Sequence, residues 1–213
     1  DTFRFIRNNA RVIGTLTAGY SITAMLGYGL LAWVPTMFLR LYGWAPGEIG
    51  PAFGLIVLVF GGGGTLLGGV FADWLIQRGY SDAYLRVSVF AAIGSVSFIA
   101  APLMPSATTV LLLLAPAMLF LGCHIGVGMA GITQVTPNEF RGQVLAVYLF
   151  SLILVGAGAG PFLVAFFTDF VFHDEQKIHH SLALFGLIFV PVALAIFYSG
   201  LKPFGKMIEQ MRQ

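Results

Sequence analysis

Charge is scarce in this 213-residue chain: Asp, Glu, Lys and Arg together make up 9% of it, against roughly a quarter in soluble domains. So little polar surface excludes a water-soluble fold of this size. Cysteine occurs once, at Cys123, which excludes an intrachain disulfide and leaves the redox compartment unread. No lysine precedes Lys177, so no glycine cluster upstream of it can be a G-x-x-x-x-G-K-[ST] phosphate loop. There is no H-E-x-x-H pair, no nucleophile elbow and no pair of carboxylates inside an apolar run, so the sequence offers no machinery for an intramembrane enzyme. Basic residues interleaved with aromatics are also missing, which argues against nucleic acid as a partner.

What the chain has instead is apolar length. Hydrophobic residues make up 58% of it, and the mean hydropathy is +0.89. No Asp, Glu, Lys or Arg occurs in Val12–Leu39, Ile49–Ala72, Val87–Asn138, Gly142–Thr168 or Ile178–Leu201. A membrane span takes about 20 apolar residues, and the longest of these runs holds two, divided near Pro102 and Pro105. The reading is all-α: a polytopic membrane protein with helices near Val12–Leu39, Glu48–Ala72, Leu85–Leu103, Ala107–Gln134, Gln143–Thr168 and Ser181–Leu201. Residues 1–11 form a linker, 12–201 the six-helix bundle and 202–213 a tail. The stretch "VFGGGGTLLGGVFADWLIQRG" (59–79) fits this account. At about 100° per residue, Gly50, Gly54, Gly61, Gly64 and Gly68 fall within roughly 80° of one helix face, the pattern of a close helix–helix seam.

The basic residues give an orientation. Arg4, Arg7, Arg11, Arg78, Arg86, Arg141, Lys202, Lys206 and Arg212 collect on one side, with Arg40 and Lys177 on the other. Nine against two is a positive-inside bias that places both ends of the segment, and the links near 73–86 and 135–142, in the cytoplasm. The chain opens at Asp1 without a methionine or a signal-peptide pattern, and is read as a fragment whose earlier part is missing.

Several strings resemble the major facilitator superfamily. "GGVFADWLIQRG" is similar to the G-x-x-x-D-[RK]-x-G-[RK]-[RK] loop between that family's eighth and ninth helices. Gly69 and Asp73 match, and Arg78 is the basic residue left in register. Trp74, Ile76 and Gln77 replace the other base and the Gly-[RK] pair. "PNEFRG" resembles the loop before the eleventh helix, and "GAGAGPFLVAFFTD" the small-residue run along it. "YGLLAWVPTMFLRLYGW" and "GPFLVAFFTD" look most like the Spinster-like branch, whose members move lysolipids and sphingoid phosphates. The resemblance covers essentially the whole chain and implies the C-terminal six-helix half of a twelve-helix fold. It further implies that Gly69, Asp73 and Arg141 belong to a cytoplasmic gate. From spacing alone, Asp73 and Arg141 are two solvated loop charges.

Two intramembrane features could form a site. On the first helix Thr17, Tyr20, Ser21 and Tyr28 lie within about 100° of one face, and a polar stripe in a span faces protein or a water-filled cavity. The resemblance implies that this helix lines the substrate path; interhelical hydrogen bonding explains the stripe equally well. His124 is the one imidazole well inside a span, beside Phe120, Gly128 and Gly131. It is either a functional group by the usual rule for intramembrane ionisable residues or a neutral, hydrogen-bonded packing residue. The external "DFVFHDEQKIHH" holds His173, Asp174, Glu175, His179 and His180 in no standard zinc spacing, and reads as a solvated hairpin, with no metal.

The resemblance implies half of a secondary transporter working by alternating access, and its Spinster-like strings alone imply an amphipathic organic anion or lysolipid-like solute. The implied partners are the N-terminal six-helix half, the small-molecule or lipid substrate and the surrounding membrane lipids, with the bacterial inner membrane as the location. No cofactor is called for. A coupling proton or sodium ion would be handled in the missing half, since this one lacks a buried carboxylate. A non-transporting receptor or scaffold of the same fold stays open, whereas a channel lacks its filter or charged ring.

Overall fold

The computed structural model describes residues 2–212. Six helices are long and apolar enough to cross a membrane: α1 (Ala10–Tyr42), α2 (Pro46–Gln77), α3 (Ala83–Leu103), α4 (Ala107–Gln134), α5 (Arg141–Phe172) and α6 (Glu175–Met211). Helix α4 has the bounds that hydropathy predicts. Elsewhere the helices run past the apolar stretch, because hydropathy marks only the part immersed in hydrocarbon while the backbone stays hydrogen-bonded into the interface.

Both ends depart from a plain linker and tail. Thr2–Asn8 is a short helix whose Phe5 stacks on Phe140 at 5.3 Å. The tail does not leave the bundle: the last helix continues to Arg212, because Phe204 and Ile208 remain buried in the same cluster as Val12 and Leu16. Helix α5 starts at Arg141 with Phe140 as its N-cap, two residues before the expected Gln143. Helix α3 is broken after Gly94, resumes over Ser97–Ala100 and ends in a tight turn through Pro102.

The packing pattern divides the bundle into two related threes. Helix α4 packs on α2 and α3, α1 packs on α5 and α6, and α3 meets α6. Exchanging α1, α2, α3 for α4, α5, α6 reproduces the same set of neighbours. This three-plus-three echo is the internal repeat expected where each six-helix half is itself a duplicated unit.

Inside lipid there is little hydrophobic drive between helices, so close backbone approach and hydrogen bonds hold them together. The glycine seam does this between α2 and α4. A Cβ at Gly68 would lie 2.7 Å from the Cys123 carbonyl oxygen, and one at Gly64 would lie 2.8 Å from the Leu119 carbonyl carbon and closer to its oxygen. Gly122 and Gly126 return the contact, facing the carbonyls of Gly61 and Thr65. Thr65 Oγ1 shares its one proton between the Gly61 carbonyl of its own helix at 3.0 Å and, across the seam, the Gly122 carbonyl at 3.3 Å. Gly50 and Gly54 do not join the seam; both face open space. Val57–Gly61 is π-helical, and its wider turn rotates the earlier glycines off the face that a uniform α-helix would give them. In the related contact between α5 and α1, a Cβ at Gly160 would lie 2.5 Å from the Met25 carbonyl oxygen, and α5 has its own π stretch at Leu154–Ala159. Trp33 Nε1 donates to the Pro161 carbonyl at 2.8 Å across the same pair.

The outer helices α2 and α5 are far less buried than the other four. Leu58, Leu66, Phe150 and Phe162 are among their exposed apolar residues. These flanks meet something apolar outside the described chain.

Candidate functional site

A recess of about 380 Å³ opens between α1, α4 and α5. Helix α1 presents Tyr20, Thr23, Gly27 and Leu31, spaced by threes and fours so that they stack along one face, with Tyr28 at its edge. Helix α4 adds Leu121, His124 and Ile125, and α5 adds Tyr148 and Leu152. Two glycines shape the walls. Gly27 has nothing near its missing Cβ, so a side chain there would fill the recess. At Gly128 a Cβ would strike the Tyr148 hydroxyl at 2.6 Å and the Tyr20 ring at 3.2 Å, so only glycine lets the two tyrosines meet.

The polar groups cluster at the end of the bundle that carries the termini. Tyr20 is buried, and its hydroxyl lies 2.8 Å from Ser88 Oγ on α3. Ser88 has one proton and donates it to the Tyr84 carbonyl at 3.0 Å, so Tyr20 is the donor to Ser88. The Tyr148 ring lies edge-on to Tyr20 at 6.2 Å. The His124 ring stacks on Phe197 of α6 at 5.3 Å and meets Tyr20 edge-on at 6.3 Å. It is 3% exposed, and neither Nδ1 nor Nε2 has a hydrogen-bond partner among the described residues. A buried polar atom left so costs about 1–3 kcal/mol. Such a cost marks a group held ready for something that enters the recess, or one bridged by water.

The structure thus brings Tyr20, Tyr28 and His124 of the expected cavity residues to one wall. Thr17 is half-buried and outside the recess. Ser21 is buried, with its Oγ unpartnered, but is not part of the wall. The packing of α1 against α5 decides this, since it covers the edge of the polar stripe on which Ser21 lies. Thr23 and Tyr148 are the polar wall residues that sequence reasoning missed. Thr23 adjoins the stripe and donates to the Tyr20 carbonyl at 3.0 Å. Tyr148 is the large polar side chain of "QVLAVYLFSLI", but only the fold shows that α5 delivers it beside α1 and α4.

The gate residues are not brought together. Asp73 and Arg141 are exposed and Gly69 is half-buried with open space at its Cα. No ion pair joins Asp73, Glu139 and Arg141 among the described residues. The reason is placement: α2 sits on α4, whereas α5 sits on α1. At the opposite end Arg40 pairs with Glu175 at 3.1 Å, and Asp174 Oδ1 accepts from the Gln176 N–H at 2.9 Å. The hairpin acids are thereby engaged in shaping the turn, and no three His, Cys, Asp or Glu side chains among the described residues converge on a point.

Two solved structures share this architecture. Both are of a bacterial homolog to the human lysosomal transporter Spinster, in inward-facing conformations. The unoccupied form matches over 98% of this chain at 17% identity, with a TM-score of 0.66. The occupied form matches over 92% at 20% identity, with a TM-score of 0.73. The chain has the fold of about half of each of these two structures. It spans 49% and 50% of the two matched chains. No family model matches it, and no curated protein does. Six apolar helices in this fold make the chain an integral membrane protein.

Proposed function

We propose that the chain is the C-terminal half of a secondary transporter that moves an amphipathic organic anion or lysolipid-like solute by alternating access. The observation that carries the reading is the recess itself. Its volume is that of a small-molecule site. Leu31, Leu121 and Ile125 offer apolar wall for a hydrocarbon portion, while His124, Tyr20 and Tyr148 gather at one end, where a headgroup would need hydrogen-bond partners. An N-terminal six-helix half would close the open side and cover the exposed flanks of α2 and α5. Thr17 and Ser21 then act as support for the wall, and Tyr28 as part of its mouth. Asp73 with the half-buried Gly69 one turn before it on α2, and Arg141 at the start of α5, would gate against that other half and not against each other. The positive-inside bias supports cytoplasmic termini, and the bacterial source of the two similar structures supports a bacterial inner membrane setting. Any coupling to protons or sodium belongs to groups in the other half.

The test is movement of lysophosphatidylglycerol across liposomes containing the full-length protein. Wild-type protein should exchange the probe faster than protein-free vesicles, and His124→Phe should slow it at least tenfold while His124→Gln, which keeps a donor and an acceptor, retains most of the rate. Exchange no faster than in protein-free vesicles would refute transport of this class. Wild-type exchange in the His124→Phe protein would reduce the histidine to packing.

A further inference from the structure

The end of the bundle that carries the termini holds a second recess, of about 460 Å³, between the start of α1 and the end of α6. Three cations border it: Arg11 from α1, with Lys202 and Lys206 one turn apart on α6. Val12, Pro203 and Met207 contribute apolar wall, and Asn8 and Asn9 stand at the rim. No carboxylate lines it. The acids nearby in sequence are engaged elsewhere, since Glu209 accepts from Ser81 Oγ at 3.1 Å and Asp82 pairs with Arg86. Other bases at this end also have local contacts: Arg78 stacks on Trp74 at 3.8 Å and Arg86 on Tyr80 at 4.4 Å. Arg11, Lys202 and Lys206 make no ion pair among the described residues. Like charges one helical turn apart repel, so the fold gathers three cations that only an external anion can neutralise.

Depth identifies the anion. The uncharged run of α1 begins at Val12 and that of α6 ends at Leu201. The cations therefore stand at the boundary between hydrocarbon and water, the level of phospholipid phosphates. Basic pockets between helices at that level suit anionic headgroups. We propose that this recess binds the phosphate headgroup of an anionic phospholipid in the leaflet at the terminus end. The inference rests on the membrane-spanning fold alone and holds whatever the chain's larger protein transports.

The experiment uses the full-length protein in mixed micelles with fluorescent phosphatidylglycerol or phosphatidylcholine as probe. Wild type should favour phosphatidylglycerol. Lys202→Gln/Lys206→Gln should weaken that binding roughly thirtyfold, at about fivefold per cation near a membrane surface. Arg4→Gln/Arg7→Gln removes the same charge from the same end but outside the recess, and should change binding less than threefold. All three proteins are checked for an unchanged elution profile on size exclusion. Equal losses in the two double variants would mean a diffuse positive surface and overturn the site. Inorganic phosphate separates the two sources of the same chemistry: displacement of phosphatidylglycerol by low-millimolar phosphate would assign the recess to a soluble anion and overturn the lipid.

Discussion

Replacing adjacent glycines in the run Gly61–Gly64 by alanine should give effects of opposite sign. At Gly64 the new Cβ would lie 2.8 Å from the Leu119 carbonyl carbon and 3.1 Å from its Cα, with the oxygen nearer still. Those atoms are backbone and cannot rotate aside. Ordinary carbon contacts sit at about 3.5–4.0 Å, so α2 must retreat from α4 by roughly 1 Å, which forfeits up to half of each dispersion contact along the seam. The retreat also stretches the Thr65–Gly122 hydrogen bond, already at 3.3 Å. Overpacking against an unyielding neighbour costs about 3 kcal/mol, and the better helix propensity of alanine returns up to about 1 kcal/mol. Gly64→Ala should therefore destabilise by about 2 kcal/mol. Gly63 has nothing near its Cα hydrogen positions, so Gly63→Ala should be neutral or stabilise by up to about 1 kcal/mol. Thermal unfolding of the full-length protein in detergent reads the contrast, with a fall of roughly 4–8 °C expected for Gly64→Ala alone. Equal shifts for the two variants would refute the seam and leave the glycine run without a packing role.

The Tyr20–Ser88 bond predicts an asymmetric double-mutant cycle. Tyr20→Phe leaves Ser88 still bonded to the Tyr84 carbonyl and should cost about 1 kcal/mol, whereas Ser88→Ala strands a buried hydroxyl and should cost about 1–3 kcal/mol. The double variant should cost less than the sum of the two, and strict additivity in chemical unfolding would show that the bond does not form. Single cysteines placed near Arg78 and Arg141 in a background lacking Cys123 should react with impermeant reagents from one side of the membrane, and one near Lys177 from the other; labelling of all three from one side would refute the six-crossing topology.

Membrane residence, helix count and the rough limits of each span were legible in the sequence because they are one-dimensional. A run of about 20 residues without charge states its own environment, since an unpaired charge there costs several kcal/mol wherever the helix goes. The tight part of the glycine seam was legible for the same reason, through Gly64 and Gly68, where any side chain would press on the α4 backbone. Gly50 and Gly54 were misplaced because the π turn at Val57–Gly61 alters the angle per residue, and a helical wheel assumes that angle is constant. Spacing also placed Tyr20, Tyr28 and His124 in polar or roomy surroundings without saying which would share a wall.

Which helices touch was settled only in three dimensions. Every span is apolar on most of its surface, so no hydropathy pattern says that α5 lies on α1 while α2 lies on α4. That choice delivers Tyr148 to the recess, turns Ser21 out of it and keeps Asp73 from Arg141. It also gathers Arg11 with Lys202 and Lys206, about 190 residues apart in the chain but set together by the antiparallel contact of α1 and α6. The sequence by itself determined that the chain crosses a membrane through six helices, because solvation acts on each segment separately. The tertiary structure alone decided which side chains form a site, because that depends on close packing between segments whose outer surfaces are chemically alike.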